Sequence, residues 1–415
     1  MWKIITTLKI FKNLNKINFL QAGTLCRKMS LQCQWEVIVK TTEIHVMTVK
    51  GCKPRSKIAA FDMDGTIICT KSGRVFALNT DDWQLLYTPQ VKQTLQRLYQ
   101  DEGYKIVFIT NQNGIASGKT KVPDFRRKVE SVLETLGVPI QLFAATAKHC
   151  VFRKPRPGVW EYLEKYCNGN IQIDQSNSFY CGDAAGRVRG KGKKDFSCSD
   201  RLFALNAGLK FYVPEELFLK RKCSEEIVMP TFDPKRLMKK APQALDPANA
   251  KLNVPHQEVV LMVGVQGSGK SHFAETNFGK AGYVIVSNDK TGGKEKSLNL
   301  MKKCLSDGKS VVIDNTHVNP EAREKYVDMA SKFKIPCRCF VMATTLGQVK
   351  HNIVYREIID KEHIHIGDPL INGYLKNYKE PTMEEGFNEI VKVNIVPEFK
   401  YEQHRDLYHM HLVEK

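Results

Sequence analysis

The chain has 415 residues, 42% of them hydrophobic and 26% charged, and its formal net charge is +19. This length exceeds what one core usually covers and the composition is that of a globular protein, so we expect two domains. No apolar run approaches the roughly 18 residues that a membrane-spanning helix needs, so no such helix is expected. The positive charge favours a polyanionic partner such as nucleic acid, because basic side chains on phosphates release counterions. A generally basic protein without that role is the alternative.

Residues 1–50 are predicted to be a basic leader. The first 35 residues contain no Asp or Glu, and they carry Lys3, Lys9, Lys12, Lys16, Arg27 and Lys28 among apolar residues. A basic amphipathic start without acidic residues is typical of a mitochondrial transit peptide. A disordered or untranslated leader, with translation starting at Met29, is the alternative.

The predicted elements of residues 51–220 alternate between strands and helices. A short strand at Lys57–Phe61 and a second at Lys105–Thr110 enclose a helix at Val91–Gln100. Strand, helix, strand is the unit of a parallel sheet, so we predict an α/β domain. A second helix is predicted to end at Gly137, and further strands are predicted at QLFAAT and SFYCGD.

Residues 221–257 are rich in Pro, Lys and Ala with weak periodicity, which predicts an interdomain linker. Residues 258–415 return to the α/β pattern, with predicted strands EVVLMVGV, YVIVSND, SVVIDNT and RCFVMAT. The loop QGSGKSHFAET leads from the first of these strands into a predicted helix. We therefore predict a second α/β domain in this half of the chain.

The segment DMDGT, residues 62–66, follows the first predicted strand. Two Asp two positions apart on an extended segment point the same way, towards the crevice at the carboxyl end of the sheet. Two close carboxylates repel each other and favour Mg²⁺, which prefers oxygen ligands. One carboxylate can attack phosphorus while the other protonates the leaving oxygen. A turn with helix-capping acids is the alternative.

This segment resembles the signature of haloacid-dehalogenase-type phosphatases, and the rest of that pattern follows in order. The resemblance implies that the Thr110 hydroxyl holds a phosphate oxygen and that Lys154, in RKPRPG, neutralises phosphate and nucleophile. It also implies that Asp183, in CGDAAGR, completes a magnesium shell with Asp62 and Asp64. Asp195 and Asp200, in KKDFSCSD, are predicted either to help hold the metal or to form a polar loop or cap.

The second constellation is GVQGSGKS, residues 264–271, which fits the pattern GxxxxGK[ST] between a strand and a helix. Backbone N–H groups in such a loop surround nucleotide phosphates, and the helix N-terminus adds its dipole. Lys270 would reach the β- and γ-phosphates and Ser271 would hold Mg²⁺. The predicted ATP-binding residues are Gly264, Gly267, Gly269, Lys270 and Ser271.

A P-loop alone does not separate a kinase from an ATPase, so two further residues of this half bear on that distinction. Asp289 ends the next predicted strand and could accept the proton of an attacking hydroxyl; a structural turn aspartate is the alternative. Arg356 lies on a predicted helix and could fold over the γ-phosphate, where it would stabilise charge in the transition state. A solvated surface arginine is the alternative.

Together and in this order, the two sets resemble the metazoan polynucleotide kinase 3′-phosphatase family. The likeness runs from about Pro54 to Glu398 and includes DMDGT, RKPRPGVW, CGDAAGR, KKDFSCSDRLFALNAGL, GVQGSGKS, VIDNTHVNP, HNIVYRE and EPTMEEGF. It implies a phosphatase of haloacid-dehalogenase-like Rossmannoid fold followed by a P-loop kinase. It implies removal of 3′-phosphate from DNA ends and phosphorylation of 5′-hydroxyls with Mg²⁺ and ATP, with nucleophile Asp62, acid/base Asp64, kinase base Asp289 and lid arginine Arg356.

The resemblance further implies a monomeric nuclear protein with repair scaffold or ligase partners. About fifty residues precede the phosphatase motifs, too few for the family's forkhead-associated domain, so phosphopeptide recruitment is not expected. The family often has Arg where Asn288 stands and Trp where TGGKEK follows, so we expect a different DNA grip in the kinase half. The basic run GRVRGKGKK, residues 186–194, is predicted either to clamp the phosphate backbone or to be a solvated loop.

Two other functions remain open at this point. A small-molecule phosphatase fused to a small-molecule kinase would carry the same motifs, although a small substrate needs no charge of +19. A non-catalytic DNA-binding scaffold with decayed sites is disfavoured, because Asp62, Asp64, Lys270 and Ser271 are all intact.

Overall fold

The computed structural model describes residues 33–38, 44–148, 150–190, 193–239, 243–360, 362–395 and 397–414. The chain forms two compact units. The first takes in the described residues up to Met229, with Tyr401–Asp406 and Glu414, and the second those of Pro230–Lys400 and Leu407–Val413. The transit-peptide prediction rests on the first 35 residues, of which residues 1–32 lie outside the described residues. Within the described ranges, none of the helices combines the length and apolarity of a membrane span.

The first unit is built on a seven-stranded sheet. The strands of this unit are β1 (Cys33–Ile38), β2 (Ile44–Val49), β3 (Ile58–Phe61), β4 (Ile68–Cys69), β5 (Gln84–Leu85), β6 (Lys105–Asn111), β7 (Ile140–Ala145), β8 (Phe179–Cys181), β9 (Arg187–Arg189), β10 (Lys193–Lys194), β11 (Lys210–Tyr212) and β12 (Glu226–Ile227). Its large sheet has the order β1-β2-β7-β6-β3-β8-β11, and the strands from β7 to β11 in that order run parallel. Two small sheets, β10-β9-β12 and β4-β5, accompany it.

Helices cover both faces of this sheet. They are α1 (Gln90–Gln100), α2 (Asn113–Ala116), α3 (Val122–Leu136), α4 (Gly158–Tyr166), α5 (Ser199–Ala207) and α6 (Pro214–Leu219). Successive residues of β3 belong to different cores: Ala59 and Phe61 pack on one face, Ile58 and Ala60 on the other. A strand covered on both faces needs a continuous apolar run, which explains the segment IAAF. Gly137 ends α3 in the left-handed conformation, φ 68°, as predicted.

The second unit has a six-stranded sheet of order β13-β18-β17-β14-β16-β15, parallel except for β13 at one edge. Its strands are β13 (Leu245–Asp246), β14 (Val259–Val263), β15 (Val284–Val286), β16 (Val311–Asp314), β17 (Cys337–Met342) and β18 (Glu389–Val393). Its helices are α7 (Pro234–Lys239), α8 (Lys270–Phe273), α9 (Asn288–Thr291), α10 (Lys294–Ser306), α11 (Pro320–Lys332), α12 (Leu346–Ile359) and α13 (Asp368–Asn377), with a π-helical turn at Ala274–Gly279 and a 3₁₀ turn at Met383–Glu385. Helix α14 (Glu402–Tyr408) lies near the end of the chain. The predicted α/β class is therefore confirmed for both units.

The structure differs from the predicted boundaries at two places. Residues 33–38 and 44–49, assigned to the leader, are strands of the first sheet, because β2 pairs with β7 and buries Ile44, Val46 and Met47. The predicted linker 221–257 is also partly folded. Strand β12 pairs with β9 in the first unit, and β13 pairs with β18 in the second. Two-residue edge strands carry too little periodicity to be recognised in a sequence.

Candidate active sites

The first site forms where three neighbouring parallel strands end. Strand β3 lies between β6 and β8. Asp62 directly follows β3, Thr110 lies in β6, one residue before its end, and Asp183 follows β8 by two residues. The Asp62 N–H donates to the Cys181 carbonyl over 2.9 Å, which continues the β3–β8 ladder to the aspartate. Asp62 and Thr110 are buried. The structure thus brings three predicted residues, far apart in sequence, to one edge of the sheet.

Lys154 is a buried cation at the centre of this edge, 2% exposed. Its Nζ donates to Asp62 Oδ1 and Asp200 Oδ1, each at 2.7 Å, and to the Ile109 carbonyl and the Tyr180 hydroxyl, each at 2.8 Å. Burial alone would lower the pKa of this ammonium, but the Asp200 and Asp62 carboxylates raise it above its ordinary value. Lys154 therefore stays charged and fixes the orientation of Asp62.

Asp62, Asp183 and Asp200 form a cluster of carboxylates beside Lys154, each offering one oxygen within 4.8 Å of the others. Burial and the neighbouring acids raise the pKa of Asp62 well above its usual range, against the effect of Lys154. Burial, then Asp200, raise the pKa of Asp183 to about 7. Three close carboxylates disfavour one another's charge, and a hard divalent cation with oxygen ligands relieves that repulsion. The residues present therefore fit Mg²⁺.

Two glycines allow these carboxylates to approach so closely. A Cβ on Gly182 would lie 2.4 Å from Asp200 Cγ, and a Cβ on Gly65 would lie 2.5 Å from Asp183 Oδ2. Gly65 also has φ +85°, a conformation that other residues rarely adopt. Gly65, the glycine of DMDGT, therefore permits the turn and leaves room for the Asp183 carboxylate.

Asp64 stands apart from the three-carboxylate cluster. Its Oδ1 accepts from Lys128 Nζ and its Oδ2 from Gln112 Nε2, each over 2.8 Å, and its side chain is 46% exposed. The same Gln112 amide donates to Thr110 Oγ1 over 2.9 Å. The sequence placed the Asp64 side chain among the metal ligands; the structure instead gives it a lysine from α3, and Asp200 joins Asp62 and Asp183. An alternation of two residues along a strand does not continue past its end, where Asp64 lies.

The two acids left open by the sequence have different environments. Asp200 lies at the start of α5, 1% exposed, and also accepts from the Ala184 N–H over 3.0 Å. Asp195 instead pairs with Arg187, which is 1% exposed and also contacts Glu215. Arg187 belongs to the basic run GRVRGKGKK, so this arginine is structural and not available as a phosphate clamp. Lys191 and Gly192 of that run lie outside the described residues.

In the second unit, the predicted nucleotide-binding loop joins β14 to α8. Gly267 and Gly269 adopt φ +81° and +93°, which only glycine tolerates readily. Lys270 is 7% exposed and its Nζ donates to the Val265 carbonyl over 3.0 Å. Burial lowers the pKa of Lys270 to about 8, although Asp314 and Asp289 oppose that effect. Ser271 is exposed at the first turn of α8.

Acidic and amide groups end the two strands on one side of this loop. Strand β16 lies between β14 and β15 and ends at Asp314, which is 7% exposed. Asp289 is exposed in the short helix α9 that follows β15. The Asn315 amide oxygen accepts from the Asn288 N–H over 2.9 Å, so the ends of β15 and β16 are tied together. Asp289 is thereby held on the same edge of the sheet as Lys270.

Helix α12 brings Arg356 towards the same loop. Asn352 Nδ2 donates to the Gly267 carbonyl over 2.9 Å, and a Cβ on Gly267 would meet the Ile353 side chain at 2.6 Å. Arg356 is exposed one helical turn beyond Asn352, and residues four apart lie on the same helix face. The contact between α12 and the loop, which no motif in the sequence indicated, places this arginine on the side of α12 that meets the loop.

Sequence reasoning missed Lys128, Tyr180 and Asn352, which contact the predicted residues directly. Lys128 and Tyr180 belong to no motif with a fixed spacing, and in the segment HNIVYRE, which contains Asn352, only Arg356 was assigned a role. Tyr180 is one of several apolar or aromatic residues of a strand, and only its hydroxyl contacts with Lys154 and Asp200 distinguish it. The amide of Gln112 was at least visible, because it directly follows Thr110-Asn111 at the end of β6.

Comparison with known proteins agrees with both units. A family described as polynucleotide kinase 3 phosphatase matches residues 57–218, and an AAA domain family matches residues 259–381. The bifunctional polynucleotide phosphatase/kinase of Schizosaccharomyces pombe is 35% identical over 90% of this chain and 87% of its own length. A putative counterpart from Acanthamoeba polyphaga mimivirus is 31% identical over 81% of this chain and 84% of its own.

A third relative matches only the first half. The polynucleotide 3′-phosphatase of Arabidopsis thaliana is 37% identical over 48% of this chain and 29% of its own length. The likeness to the fission-yeast protein extends through both units and most of each chain. The chain therefore belongs to the family of bifunctional polynucleotide phosphatase/kinases.

Proposed function

We propose that this chain repairs DNA ends by removing 3′-phosphate and by phosphorylating 5′-hydroxyl groups with ATP, which prepares strand breaks for ligation. The observation that carries the proposal is that one chain contains both the carboxylate cluster and the nucleotide-binding loop. Both lie in a chain of which 90% aligns with a bifunctional relative. The formal charge of +19 supports a polyanionic substrate. A small-molecule phosphatase fused to a small-molecule kinase would have no use for that charge.

In the phosphatase unit, Asp62 is the proposed nucleophile. One of its carboxylate oxygens attacks phosphorus and the bond from phosphorus to the 3′ oxygen breaks; that oxygen leaves with the electron pair and takes a proton from Asp64. Water then hydrolyses the phosphoaspartate, with Asp64 as the base, and phosphate leaves. Thr110 and Lys154 would hold the phosphate oxygens, and the contacts from Lys128 and Gln112 would keep Asp64 oriented.

In the kinase unit, Lys270 is proposed to bind the β- and γ-phosphates, with the N–H groups around Gly264, Gly267 and Gly269. Asp289 would accept the proton of the 5′-hydroxyl as its oxygen attacks the γ-phosphorus. Arg356 would neutralise charge that develops on the transferred phosphoryl group. These roles are supported by the approach of α12 to the loop and by the shared sheet edge of Asp289 and Lys270.

Magnesium and ATP are the proposed cofactor and co-substrate. Asp62, Asp183 and Asp200 would hold Mg²⁺ in the phosphatase unit, and Ser271 would hold it in the kinase unit. The cation supplies charge neutralisation for the phosphoryl group. A nuclear location and a monomeric state are proposed by family, and ligase or scaffold partners stay predictions, as does mitochondrial targeting through the leader.

The test uses one labelled oligonucleotide duplex with a nick that carries a 3′-phosphate and a 5′-hydroxyl. With Mg²⁺ alone we expect loss of the 3′-phosphate, and with Mg²⁺ and ATP we expect both ends to change. Omitting Mg²⁺ is the control and should leave both ends intact. Turnover of sugar phosphates with neither DNA end processed would reject the proposal in favour of the small-molecule alternative.

A further inference from the structure

His317 has an unusual backbone and a buried side chain in the kinase unit. It follows β16 by three residues, has φ 47°, and is 3% exposed. A positive φ is uncommon for a residue with a Cβ, although histidine adopts it more often than most such residues. A conformation of this kind persists only when surrounding contacts determine it, and such positions gather at functional sites.

The contacts of His317 reach both sides of the start of the nucleotide-binding loop. Its Nδ1 lies 2.8 Å from the carbonyl oxygen of Met262 in β14. The adjacent Thr316 carbonyl accepts from the Gly264 N–H over 3.2 Å. Since a carbonyl can only accept, Nδ1 must carry the proton in that contact. Thr316 and His317 therefore contact the chain at two points: at Met262, two residues before the loop, and at Gly264, the first glycine of the loop.

Helix α11 fixes His317 from the other side. Arg323, fully buried, donates to the His317 carbonyl over 2.9 Å and forms a bidentate pair with Glu385, both bonds 2.7 Å. The Tyr326 ring packs edge-on against the imidazole at 5.2 Å, and its hydroxyl donates to the Asn288 side chain over 3.3 Å. The histidine thus connects the loop to the residue that precedes Asp289.

The imidazole is neutral in this setting. Burial lowers the pKa of His317 to about 4, although its contact with Met262 opposes the shift. The charged groups facing it are Lys270, Arg323 and Lys294, all of which disfavour a second positive charge. Within the described part of the chain, Nε2 has no hydrogen-bond partner. A neutral donor at Nδ1 can anchor a strand end without adding charge beside bound phosphates.

We propose that His317 is a positioning residue of the kinase reaction, which sets the nucleotide-binding loop through its Nδ1–H bond to Met262. The inference rests on the proposed kinase function and adds a residue that lies outside the loop motif. Removal of the bond leaves the Met262 carbonyl without this donor and lets the loop shift under Lys270. We therefore expect weaker nucleotide binding in a variant that lacks the donor.

The experiment compares His317→Gly with His317→Asn in the full chain. Glycine keeps the backbone conformation and removes the donor, whereas asparagine tolerates a positive φ and can donate from Nδ2 near the position of Nδ1. We measure the Kd of a fluorescent ATP analogue, and KM for ATP and kcat with a 5′-hydroxyl oligonucleotide. The phosphatase activity of each preparation normalises the protein concentration, because its residues lie in the other unit.

For glycine, loss of one buried hydrogen bond should raise Kd and KM for ATP about tenfold while kcat falls less. For asparagine, both constants should stay within about threefold of the parent chain, given that the donor is kept. Unchanged ATP binding in the glycine variant would overturn the inference. An asparagine variant that binds ATP as weakly as the glycine variant would also overturn it, because the effect would then belong to Nε2. If the parent chain binds the analogue but phosphorylates no 5′-hydroxyl, the proposed kinase function fails, while the Kd comparison still decides the role of His317.

Discussion

At the scale of single residues, two of the buried cations in the first unit, Lys154 and Arg187, are held by different acidic partners. Lys154 is held by Asp62 and Asp200 inside the carboxylate cluster, whereas Arg187 is held by Asp195 and Glu215 outside it. A buried cation without its partner is strongly destabilising, so both pairs matter for folding. Only the first of these ion-pair sets contains the proposed nucleophile, Asp62, so the two sets can be separated by experiment.

We predict different effects for Asp200→Asn and Asp195→Asn. Asp200→Asn removes an oxygen that fits Mg²⁺, so the Mg²⁺ concentration for half-maximal phosphatase activity should rise about 10–100-fold. Asp195→Asn weakens the support of Arg187 and should lower the free energy of unfolding by roughly 3 kcal/mol with little change in Mg²⁺ requirement. Magnesium titrations and urea unfolding check the pair. Equal Mg²⁺ requirements for the two variants would contradict the assignment of Asp200.

The contrast between these acids shows what the sequence could not determine. Asp195 and Asp200 stand five positions apart in one polar segment, and both were equally suited to a loop, a cap or a metal site. Their roles depend on β8 and α5 placing Asp200 beside Lys154, which is a tertiary contact between residues 46 positions apart. Asp62, Thr110 and Lys154 could be predicted because each belongs to a motif whose order along the chain was visible.

At the scale of elements, proposed catalytic residues of both units, among them Asp62 and Asp289, lie at or just beyond the carboxyl ends of parallel strands. In each unit a central strand, β3 or β14, is buried on both faces and leads directly into the functional loop. Continuous apolar runs predicted these strands, because a strand between two helical layers has no polar face. The edge strands β12 and β13 were not predicted, since two residues give no periodicity.

Close approach of elements predicts a steric effect at Gly182. Gly182→Ala would place a Cβ 2.4 Å from Asp200 Cγ, which forces α5 or the end of β8 to move. We expect phosphatase activity to fall at least about 100-fold, because misplacement by about an ångström has that cost. Gly190→Ala is the control, since a Cβ there meets no atom within 4 Å and its φ is ordinary. Steady-state assays of 3′-phosphate release decide it: similar activity for both variants would mean that Asp200 is not held as tightly as the geometry requires.

At the scale of the whole molecule, two activities share one chain but no catalytic residue. The proposed phosphatase residues Asp62, Lys154, Asp183 and Asp200 all lie in the first unit, and Lys270, Asp289 and Arg356 all lie in the second. Each unit has its own sheet and its own hydrophobic clusters on both sheet faces. A substitution in one site should therefore leave the chemistry of the other unchanged.

Asp62→Asn and Lys270→Ala test this separation on the same nicked duplex. Asp62→Asn removes the nucleophile and should lower 3′-phosphate release at least about a thousandfold while the rate of 5′ phosphorylation stays within about twofold. Lys270→Ala removes the ammonium that binds the β- and γ-phosphates, so 5′ phosphorylation should fall about 100- to 1000-fold with phosphatase activity unchanged. Both rates are measured on one substrate because each end then serves as the internal control for the other. Asparagine at position 62 preserves the shape of the aspartate and leaves the kinase unit untouched. Loss of both activities in either variant would therefore show that the two sites depend on each other.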